Sequence, residues 1–378
     1  MAGARLFLAL WLTLCCALAQ ADVVRVRAFD DIIESGVLKV AMYENFPPYS
    51  YQQDGQPRGV DFELAQKLAE GLGLKLEVLW VTPDETLDDD LRNFIWKGHY
   101  LRRDVLADVM LRVPYDREFS YKRNELGELI NELVVMFGPY QRERWQTVYD
   151  DRRIEDVPSV AVFQYHPIGV EVDSVPSFYL SSVFEGRLAK NLHHYPSVQQ
   201  AFAALKEGEV DATMAMRGEI EWLMAQAGDS HLKLAENAYP NMGKQVWDLG
   251  MAVHESNRQL AYALEEVLEP LILEGGMEKL YAKHGLHYEL PGEAWSGWHL
   301  SAGRLYTPEG YELHPKDFTW WSLLCRKASM FSTLYARAAG APAGHRSRGP
   351  AGAVVHAKKL PATSVCPKVN SRRVVGVR

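Results

Sequence analysis

The order of apolar and polar residues in the first part of the chain predicts a strand, a helix and a second strand. The run VLKVAM at residues 37–42 is largely apolar and is typical of a buried strand. A helix follows, with Asp61 as its expected N-cap. The apolar face of this helix consists of Phe62, Ala65, Leu68 and Leu72. Residues 74–80 alternate like a strand, and a helical crossover between two strands implies a parallel sheet.

The remaining apolar segments predict a second set of strands and helices. Strands are expected at residues 107–113, 132–137, 159–163, 210–216, 231–235 and 249–253. Helices are expected from Ser197 to Gly208, over residues 219–226 and from Asn257 to Gly285. This alternation indicates an α/β fold with two similar halves and a late return to the first half.

The loop between the first strand and the first helix, YENFPPYSY at residues 43–51, is unusually aromatic. Connecting loops are usually polar because they lie on the surface, so aromatic residues fixed by two prolines predict a binding surface. In an open α/β sheet, ligands lie beyond the carboxyl ends of the strands, where this loop begins. Phe46 and Tyr49 are therefore candidate ligand contacts, although Tyr49 could instead turn inward. Trp80 ends the second strand, and it could line the same cleft or belong to the core.

Residues 1–21 have the features of a secretory signal peptide. Arg5 precedes a short apolar run, and a small-x-small cleavage site follows. The protein is therefore expected to be periplasmic and soluble after export. Two of the four cysteines lie in this segment and the other two, Cys325 and Cys366, lie near the C-terminus. We therefore expect neither a disulfide framework nor a thiolate metal site in the globular part.

No catalytic, metal or cofactor site is predicted. The sequence contains no G-x-S-x-G, H-E-x-x-H or Walker motif. The adjacent pair His193–His194 would make a poor chelate, because neighbouring residues of a strand face opposite sides. We therefore expect a binding protein rather than an enzyme.

The last fifty-three residues differ in charge from the rest of the chain. Residues 326–378 contain 11 basic side chains and no acidic ones, whereas the remainder holds 30 basic and 49 acidic ones. This end is rich in Ala, Gly, Pro and Arg, and such a composition cannot bury a core. We expect residues 291–325 to form an aromatic extension and residues 326–378 to form a disordered basic tail, which could also reflect a reading-frame change. An exported protein is not expected to bind nucleic acid.

Three segments resemble bacterial extracellular solute-binding proteins of family 3, the polar-amino-acid type. They are SGVLKVAMYENFPPYSY with the helix and strand after it, SVQQAFAALKEGEVDATMA, and the closing segment from LGMAV to YAKHG. The resemblance implies a periplasmic binding protein-like type II fold, with two α/β lobes and a hinge of two crossing strands. It places lobe 1 at residues 22–137 plus 245–290 and lobe 2 at residues 138–244. Residues 133–139 and 245–253 would cross between the lobes, which close on ligand by hinge motion.

The resemblance also implies roles for particular residues. Phe46 matches the stacking aromatic of the family by position. The arginine that binds a ligand carboxylate has two candidates, Arg112 and Arg117. The aspartate that binds the ligand ammonium normally stands five residues after Asp211, where this chain has Met216.

The second lobe departs from the family pattern as well. The Gly-Thr element of the family is missing, and the polar side chains expected in its place are Gln164, Tyr165 and His166. A cleft without its ammonium acceptor should bind α-amino acids poorly, because a desolvated ammonium needs a partner.

The expected function is capture of a small solute for an ABC transporter, by a monomer that would contact an inner-membrane ABC permease. The solute is expected not to be a standard α-amino acid. One alternative is an accessory or sensor protein of a quinoprotein dehydrogenase system, with a periplasmic dehydrogenase as partner. Another is a periplasmic dehydratase, with Glu44, His166 or Glu219 as possible proton carriers. A muralytic enzyme would need a further catalytic domain after residue 290.

We predict that the basic tail is dispensable for stability. Limited proteolysis should remove material after about Lys327 and leave a body with the melting temperature of the whole chain, because exposed chain ends are cut first. The measurement should be made with and without reductant, since Cys325 and Cys366 could form a disulfide. If truncation after Arg326 lowers the melting temperature by several degrees under both conditions, the tail belongs to the fold.

Overall fold

The computed structural model describes residues 26–103, 105–292, 299–301 and 304–306. The predicted signal peptide and the predicted basic tail lie outside the described residues. No helix in the described part of the chain combines the length and the apolar character needed to cross a membrane.

Lobe 1 is built from the N-terminal third of the chain. After helix α1 (Phe29–Ser35) the order is β1 (Val37–Tyr43), the hairpin β2 (Tyr51–Gln53) and β3 (Gln56–Arg58), α2 (Val60–Gly71) and β4 (Lys75–Val81). Helix α3 (Leu87–Leu91) continues into a π turn (Arg92–Trp96), followed by β5 (Val109–Pro114) and the short helix α4 (Arg117–Ser120). Strand β1 pairs in parallel with both β4 and β5, as a crossover unit requires.

Lobe 2 follows a long strand, β6 (Val134–Asp150). Its elements are a 3₁₀ turn (Val160–Gln164), β7 (Ile168–Glu171), α5 (Val175–Gly186), β8 (Leu192–Tyr195), α6 (Val198–Glu207), β9 (Ala212–Met216), α7 (Arg217–Ala227) and β10 (Leu232–Leu234). Strand β11 (Val246–His254) then returns to lobe 1, which is completed by α8 (Arg258–Leu273) and α9 (Gly276–Lys283). A small hairpin, β12 (His299–Ser301) and β13 (Arg304–Tyr306), comes last.

A continuous sheet joins the two lobes. Its strand order is β4-β1-β5-β11-β6-β9-β7-β8, with β10 paired to β6. Strand β6 pairs with β11 from Val134 to Arg144 and then with β9 from Trp145 to Tyr149. The strands β6 and β11 therefore carry the chain between the lobes, which confirms the predicted α/β fold with two crossing strands.

Each lobe has its own apolar core, which explains why the chain divides in this way. In lobe 1, α2, α8 and α9 pack on one face of the sheet through a buried cluster that includes Leu64, Leu264 and Met277. In lobe 2, buried residues such as Phe163, Leu180 and Met214 form a second cluster. Burial of such side chains contributes roughly 1.5–3 kcal/mol each.

A third connection runs beside the two crossing strands. The carbonyl oxygen of Glu289 accepts a hydrogen bond from the backbone N–H of Arg142 at 3.0 Å. Its carboxylate binds Arg144 on β6 and, at 2.6 Å, Arg217 at the start of α7. The segment after α9 is therefore attached to both the crossing strand and lobe 2.

Two local predictions are wrong, for physical reasons. Residues 159–163 form a 3₁₀ turn instead of a strand, because the Ser159 side chain caps it by accepting from the N–H of Ala161. The strand begins later, at Ile168. Asp61 is not the N-cap of α2, because the helix begins one residue earlier, after Gly59. The cap predicted at Ser197 is confirmed, since its side chain accepts from the N–H of Gln200.

Gly59 is predicted to be essential where the aromatic loop meets α2. Its φ is +115°, and a Cβ at this position would overlap with the backbone carbonyl of Tyr49. We expect Gly59→Ala to lower the free energy of unfolding by ~2 kcal/mol or more, because strain and overlap add. Gly55→Ala is the control, since Gly55 also has a positive φ but has open space around its Cβ. Thermal unfolding of both variants tests this, and equal losses would show that the overlap is relieved by movement of the loop.

Candidate functional site

The aromatic loop after β1 is held by its own backbone. The N–H of Phe46 donates to the carbonyl oxygen of Ser50 at 2.8 Å, and the N–H of Tyr49 donates to that of Phe46 at 2.9 Å. The Phe46 ring is half-buried, and its centroid lies 5.1 Å from that of Tyr49. Phe46 therefore lies at the predicted place, beyond the carboxyl end of β1, with part of its ring accessible.

Tyr49 turns inward, which was the alternative left open by the sequence. Its side chain is fully buried, and its hydroxyl donates a hydrogen bond to Glu143 on β6. A Cβ on Gly218 of α7 would overlap with this hydroxyl. Tyr49 is therefore a point of contact between lobe 1, the crossing strand and lobe 2.

Arg112 lies under Tyr49 and is itself buried. Its guanidinium carbon is 3.3 Å from the centroid of the Tyr49 ring and 5.7 Å from that of Phe46. Its Nη1 donates to the Gln141 side-chain oxygen at 3.0 Å. Carboxylates lie on two sides, with Nη1 at 3.4 Å from Asp61 and Nη2 at 3.6 Å from Glu143.

The charge of Arg112 is fixed by these neighbours. Burial opposes the charge, but Asp61 and the surrounding tyrosines raise the pKa of Arg112 above its ordinary value. Burial raises the pKa of Asp61, while Arg112 acts in the opposite direction. The main chain contributes too, since Arg112 has a φ of +58° and its N–H donates to the Tyr140 hydroxyl at 3.0 Å.

Several members of this cluster were not predicted from the sequence. The Tyr140 hydroxyl donates to Asp61 at 3.2 Å, and the Tyr281 hydroxyl donates to the Gln141 oxygen at 2.6 Å. Asp61 has a recognisable position in the sequence, at the start of a helix, but that position indicates a helix cap and not a partner for Arg112. The sequence gives no indication that Tyr281 belongs to this cluster. Tyr281 lies 140 residues from Gln141, and only the fold brings the two side chains together.

Lobe 2 contributes Glu219, which lies in the first turn of α7 and is buried. Burial, followed by the charges of Glu171 and Glu143, raises the pKa of the Glu219 carboxyl to about 8. Burial also raises the pKa of Glu171, at the carboxyl end of β7. Glu219 is therefore a group that can hold or release a proton near neutral pH.

Two predicted contacts lie apart from this cluster. Trp80 is half-buried and packs on the core of lobe 1. It also borders a cavity of about 370 Å³ lined by the segment after β4, including Phe94, Tyr100 and Arg102. Arg117 is exposed at the start of α4, with its guanidinium carbon 5.9 Å from the Tyr121 ring centroid. Of the two candidate arginines, Arg112 alone joins the cluster.

Gln164, Tyr165 and His166 lie before β7, at its amino-terminal end, and their contact with a ligand stays a prediction. They precede β7, and His166 Nδ1 lies 2.9 Å from the carboxylate of Asp211, which precedes β9. Tyr165 is 81% exposed. The carboxyl ends of β7 and β9, at Glu171 and Met216, are the strand ends that lie nearer to lobe 1. The strand expected at residues 159–163 is instead Ile168–Glu171, so these three residues precede it rather than follow it.

The described residues contain no group of three or more His, Cys, Asp or Glu side chains suited to a metal ion. The chemistry present is a buried cation, three buried carboxylates and aromatic faces. Such a site can hold a charged or polar small molecule and can carry a proton on Glu219.

The family model for bacterial extracellular solute-binding proteins, family 3, matches residues 38–93, which span β1 to the π turn. A second family model, described only as a phage protein, matches residues 287–363. This second match covers most of the segment predicted as an extension and a basic tail.

Two curated relatives differ in activity. Cyclohexadienyl dehydratase of Pseudomonas aeruginosa is 34% identical over 93 residues, which is 24% of this chain and 35% of that protein. Membrane-bound lytic murein transglycosylase F of Vibrio cholerae is 27% identical over 244 residues, or 62% of this chain and 41% of that protein. The matches thus span about two fifths or less of these relatives.

The fold agrees with a solved structure of a binding protein. An ancestral cationic amino acid solute-binding protein superposes with a TM-score of 0.53 and 18% identity, over 68% of this chain and 98% of that one. Residues 38–93 are thus similar to family 3 of the bacterial extracellular solute-binding proteins, and the chain has the mixed α/β fold of a periplasmic type II binding protein.

Proposed function

We propose that the protein captures a small solute between its two lobes and that this solute is not a standard α-amino acid. The observation that supports this proposal is that the buried guanidinium of Arg112 is already paired with groups of the protein. This arginine is the only predicted carboxylate-binding residue that reaches the cluster in the described structure, and it is already neutralised within the protein. Phe46 remains as an aromatic face beside it.

A ligand carboxylate would have to compete for Arg112 with groups of the protein. Asp61 and Glu143 flank the guanidinium, the Gln141 oxygen accepts from it, and the Tyr49 ring covers one face. Separating a buried arginine from its partners is costly, since loss of one partner of a buried pair amounts to roughly 3–5 kcal/mol. The carboxylate of an amino acid is therefore not expected to bind there.

The ammonium of an amino acid also lacks its usual acceptor. Met216 ends β9 and directly precedes α7, and its thioether cannot balance a charge. Glu219, three residues later, is the nearest carboxylate along the chain. The carboxylate and the ammonium of an amino acid would therefore each lack the partner that the family pattern provides.

The likeness to family 3 supports a role in solute uptake, with an inner-membrane ABC permease as partner. An accessory or sensor role beside a periplasmic dehydrogenase is the second reading, because both roles need a soluble protein that closes on a ligand. The two differ in their gene neighbours, which would encode a permease and an ATPase in one case and a quinoprotein and a cytochrome in the other.

A dehydratase is a further candidate because of Glu219. A buried carboxyl with a pKa near 8 can protonate a leaving hydroxyl at neutral pH, and one relative is named cyclohexadienyl dehydratase. Turnover of a prephenate-like substrate that is lost in Glu219→Gln would favour this activity over simple capture. Stoichiometric binding of a solute without turnover would favour capture.

We predict that the common α-amino acids bind weakly or not at all. Calorimetric titration with each of them should give dissociation constants above about 100 μM, where the binding free energy is weaker than ~5.5 kcal/mol. A thermal-shift screen of a wider solute library should find the true ligand, since a ligand at 100 times its dissociation constant adds about 2.7 kcal/mol of stability. A sub-micromolar constant for any standard amino acid would contradict this prediction.

Phe46→Ala is predicted to weaken binding of the solute found in that screen by ~1–3 kcal/mol, because the ring offers apolar area and a stacking face. Its own unfolding should change little, since the ring is only partly buried. Tyr262→Ala is the matched control, because Tyr262 is an exposed aromatic on α8. Equal affinities for Phe46→Ala and Tyr262→Ala would remove Phe46 from the binding site.

A further inference from the structure

Acidic groups outnumber basic groups where the lobes meet. In the described chain, four guanidinium groups lie around residues 140–144 of β6 and the start of α7, and seven carboxylates lie among them. The guanidinium groups belong to Arg112, Arg142, Arg144 and Arg217. The carboxylates belong to Asp61, Glu143, Glu171, Glu219, Glu221, Asp248 and Glu289.

Three of the four arginines are balanced by their own partners. Arg142 binds Asp248 through two nitrogens, at 2.8 and 3.4 Å. Arg144 and Arg217 both bind Glu289, and Arg217 also lies 3.6 Å from Glu221. A further pair, Lys244 with Asp116, adds one charge of each sign and leaves the balance unchanged.

The excess therefore lies on the cleft side. Arg112 stands between two carboxylates, Asp61 and Glu143, and it can neutralise one of them. Glu219 and Glu171 have no arginine or lysine within ion-pair distance in the described chain. Buried negative charge without a partner is unfavourable, so closure of the lobes requires additional positive charge.

Glu219 is the carboxylate that both lobes surround. Glu171 faces it from β7, Glu143 from β6, and Arg112 from β5, and the backbone at Met216 provides a hydrogen bond. Tyr49 faces it from the aromatic loop. Gly218, the residue before Glu219, approaches the Tyr49 hydroxyl, and this hydroxyl donates to Glu143. The start of α7 that carries Glu219 therefore lies beside Tyr49 and Glu143, and the charge of Glu171 on β7 also acts on Glu219.

The aromatic rings already hold one cation. The guanidinium of Arg112 lies over Tyr49 and within 5.7 Å of the Phe46 centroid, so these rings present π faces to a positive charge. Phe46 is half-buried, and its ring centroid lies 5.1 Å from that of Tyr49, which is bonded to Glu143. A second cation at Phe46 would therefore meet an aromatic face with a carboxylate nearby, a combination that binds organic ammonium groups.

We propose that the solute is an organic cation without a carboxylate, such as an amine or a guanidine, and that Glu219, Glu143 and Glu171 receive its charge. This inference rests on the proposed capture of a solute between the lobes and specifies its chemical class. A proton on Glu219 takes the place of the cation when no solute is bound.

The pH dependence follows from this exchange. In the unliganded protein, burial raises the pKa of Glu219 to about 8, so the folded state holds a proton that the unfolded state has released. Stability of the unliganded protein should therefore fall as the pH rises from about 5 to about 8. Affinity for a cation should rise over the same interval, because the cation binds the ionised carboxylate and displaces the proton.

The experiment compares matched pairs of solutes by calorimetry and thermal shift on the whole protein. Agmatine is paired with arginine, cadaverine with lysine and putrescine with ornithine, so that the members of each pair differ only in the α-carboxylate. At least one decarboxylated member should bind at least tenfold more tightly than its amino acid, and more tightly at pH 8 than at pH 6. Proton release on binding, measured in two buffers of different ionisation enthalpy, should be largest below pH 8.

Glu219→Gln should weaken binding of that cation at least tenfold and remove its pH dependence. Glu171→Gln, at a half-buried position, provides a second variant that should weaken binding if Glu219→Gln does not fold. Glu207→Gln is the control, because Glu207 is an exposed glutamate of lobe 2 at the end of α6, and it should bind as the unchanged protein does.

The outcomes separate this inference from the proposed function. If a neutral or anionic solute binds in a manner that depends on Phe46, capture between the lobes stands and the cationic class is overturned. If a cation binds equally well to Glu219→Gln and Glu171→Gln, the assignment of these carboxylates is overturned. If no solute binds or stabilises the protein, the capture function and the inference fail together.

Discussion

The guanidinium of Arg112 is buried where the two lobes meet, and a buried charge persists only when opposite charges and hydrogen-bond acceptors surround it. The neighbours of Arg112 come from three different elements. Asp61 comes from α2, Gln141 and Glu143 from β6, and Tyr49 from the aromatic loop. The need to neutralise one cation thus fixes the relative positions of the helix, the crossing strand and the loop. Under the proposed function, the same neutralisation keeps Arg112 from binding a ligand carboxylate.

The local elements could be predicted from the sequence because their signals are local. The apolar run of β1, the helical spacing of α2 and the alternation of β4 each follow from burial on one or two faces. The segment 159–163 was misread because a short apolar run is compatible with a strand or a tight turn, and the capping role of Ser159 decided the outcome. The strand position matters for the site, because Gln164, Tyr165 and His166 precede β7 instead of following a strand.

The site could be predicted only in part, because its contacts are long-range. The sequence singles out Phe46 by its position after β1 and Arg112 by its position near the end of β5, and both lie in the cluster around Tyr49. Their contact with a ligand stays a prediction. Glu143 and Tyr281 could not be found, since a buried glutamate inside a strand and a tyrosine on the last helix acquire meaning only through their partners. The sequence does show an acidic excess outside residues 326–378, with 30 basic and 49 acidic residues, but composition does not show where in the fold these charges lie.

Glu289 has a consequence for the boundary of the molecule. The segment that resembles a phage protein begins at residue 287, yet Glu289 within it binds Arg144 and Arg217. The start of the phage-protein match, at residue 287, therefore lies within a segment that is bonded to β6 and α7. Arg217 begins the helix that carries Glu219, so the ion pair with Glu289 joins this helix to the segment after α9. If the lobes close on a solute as proposed, the segment after α9 has to move with α7, or its ion pair with Arg217 has to break.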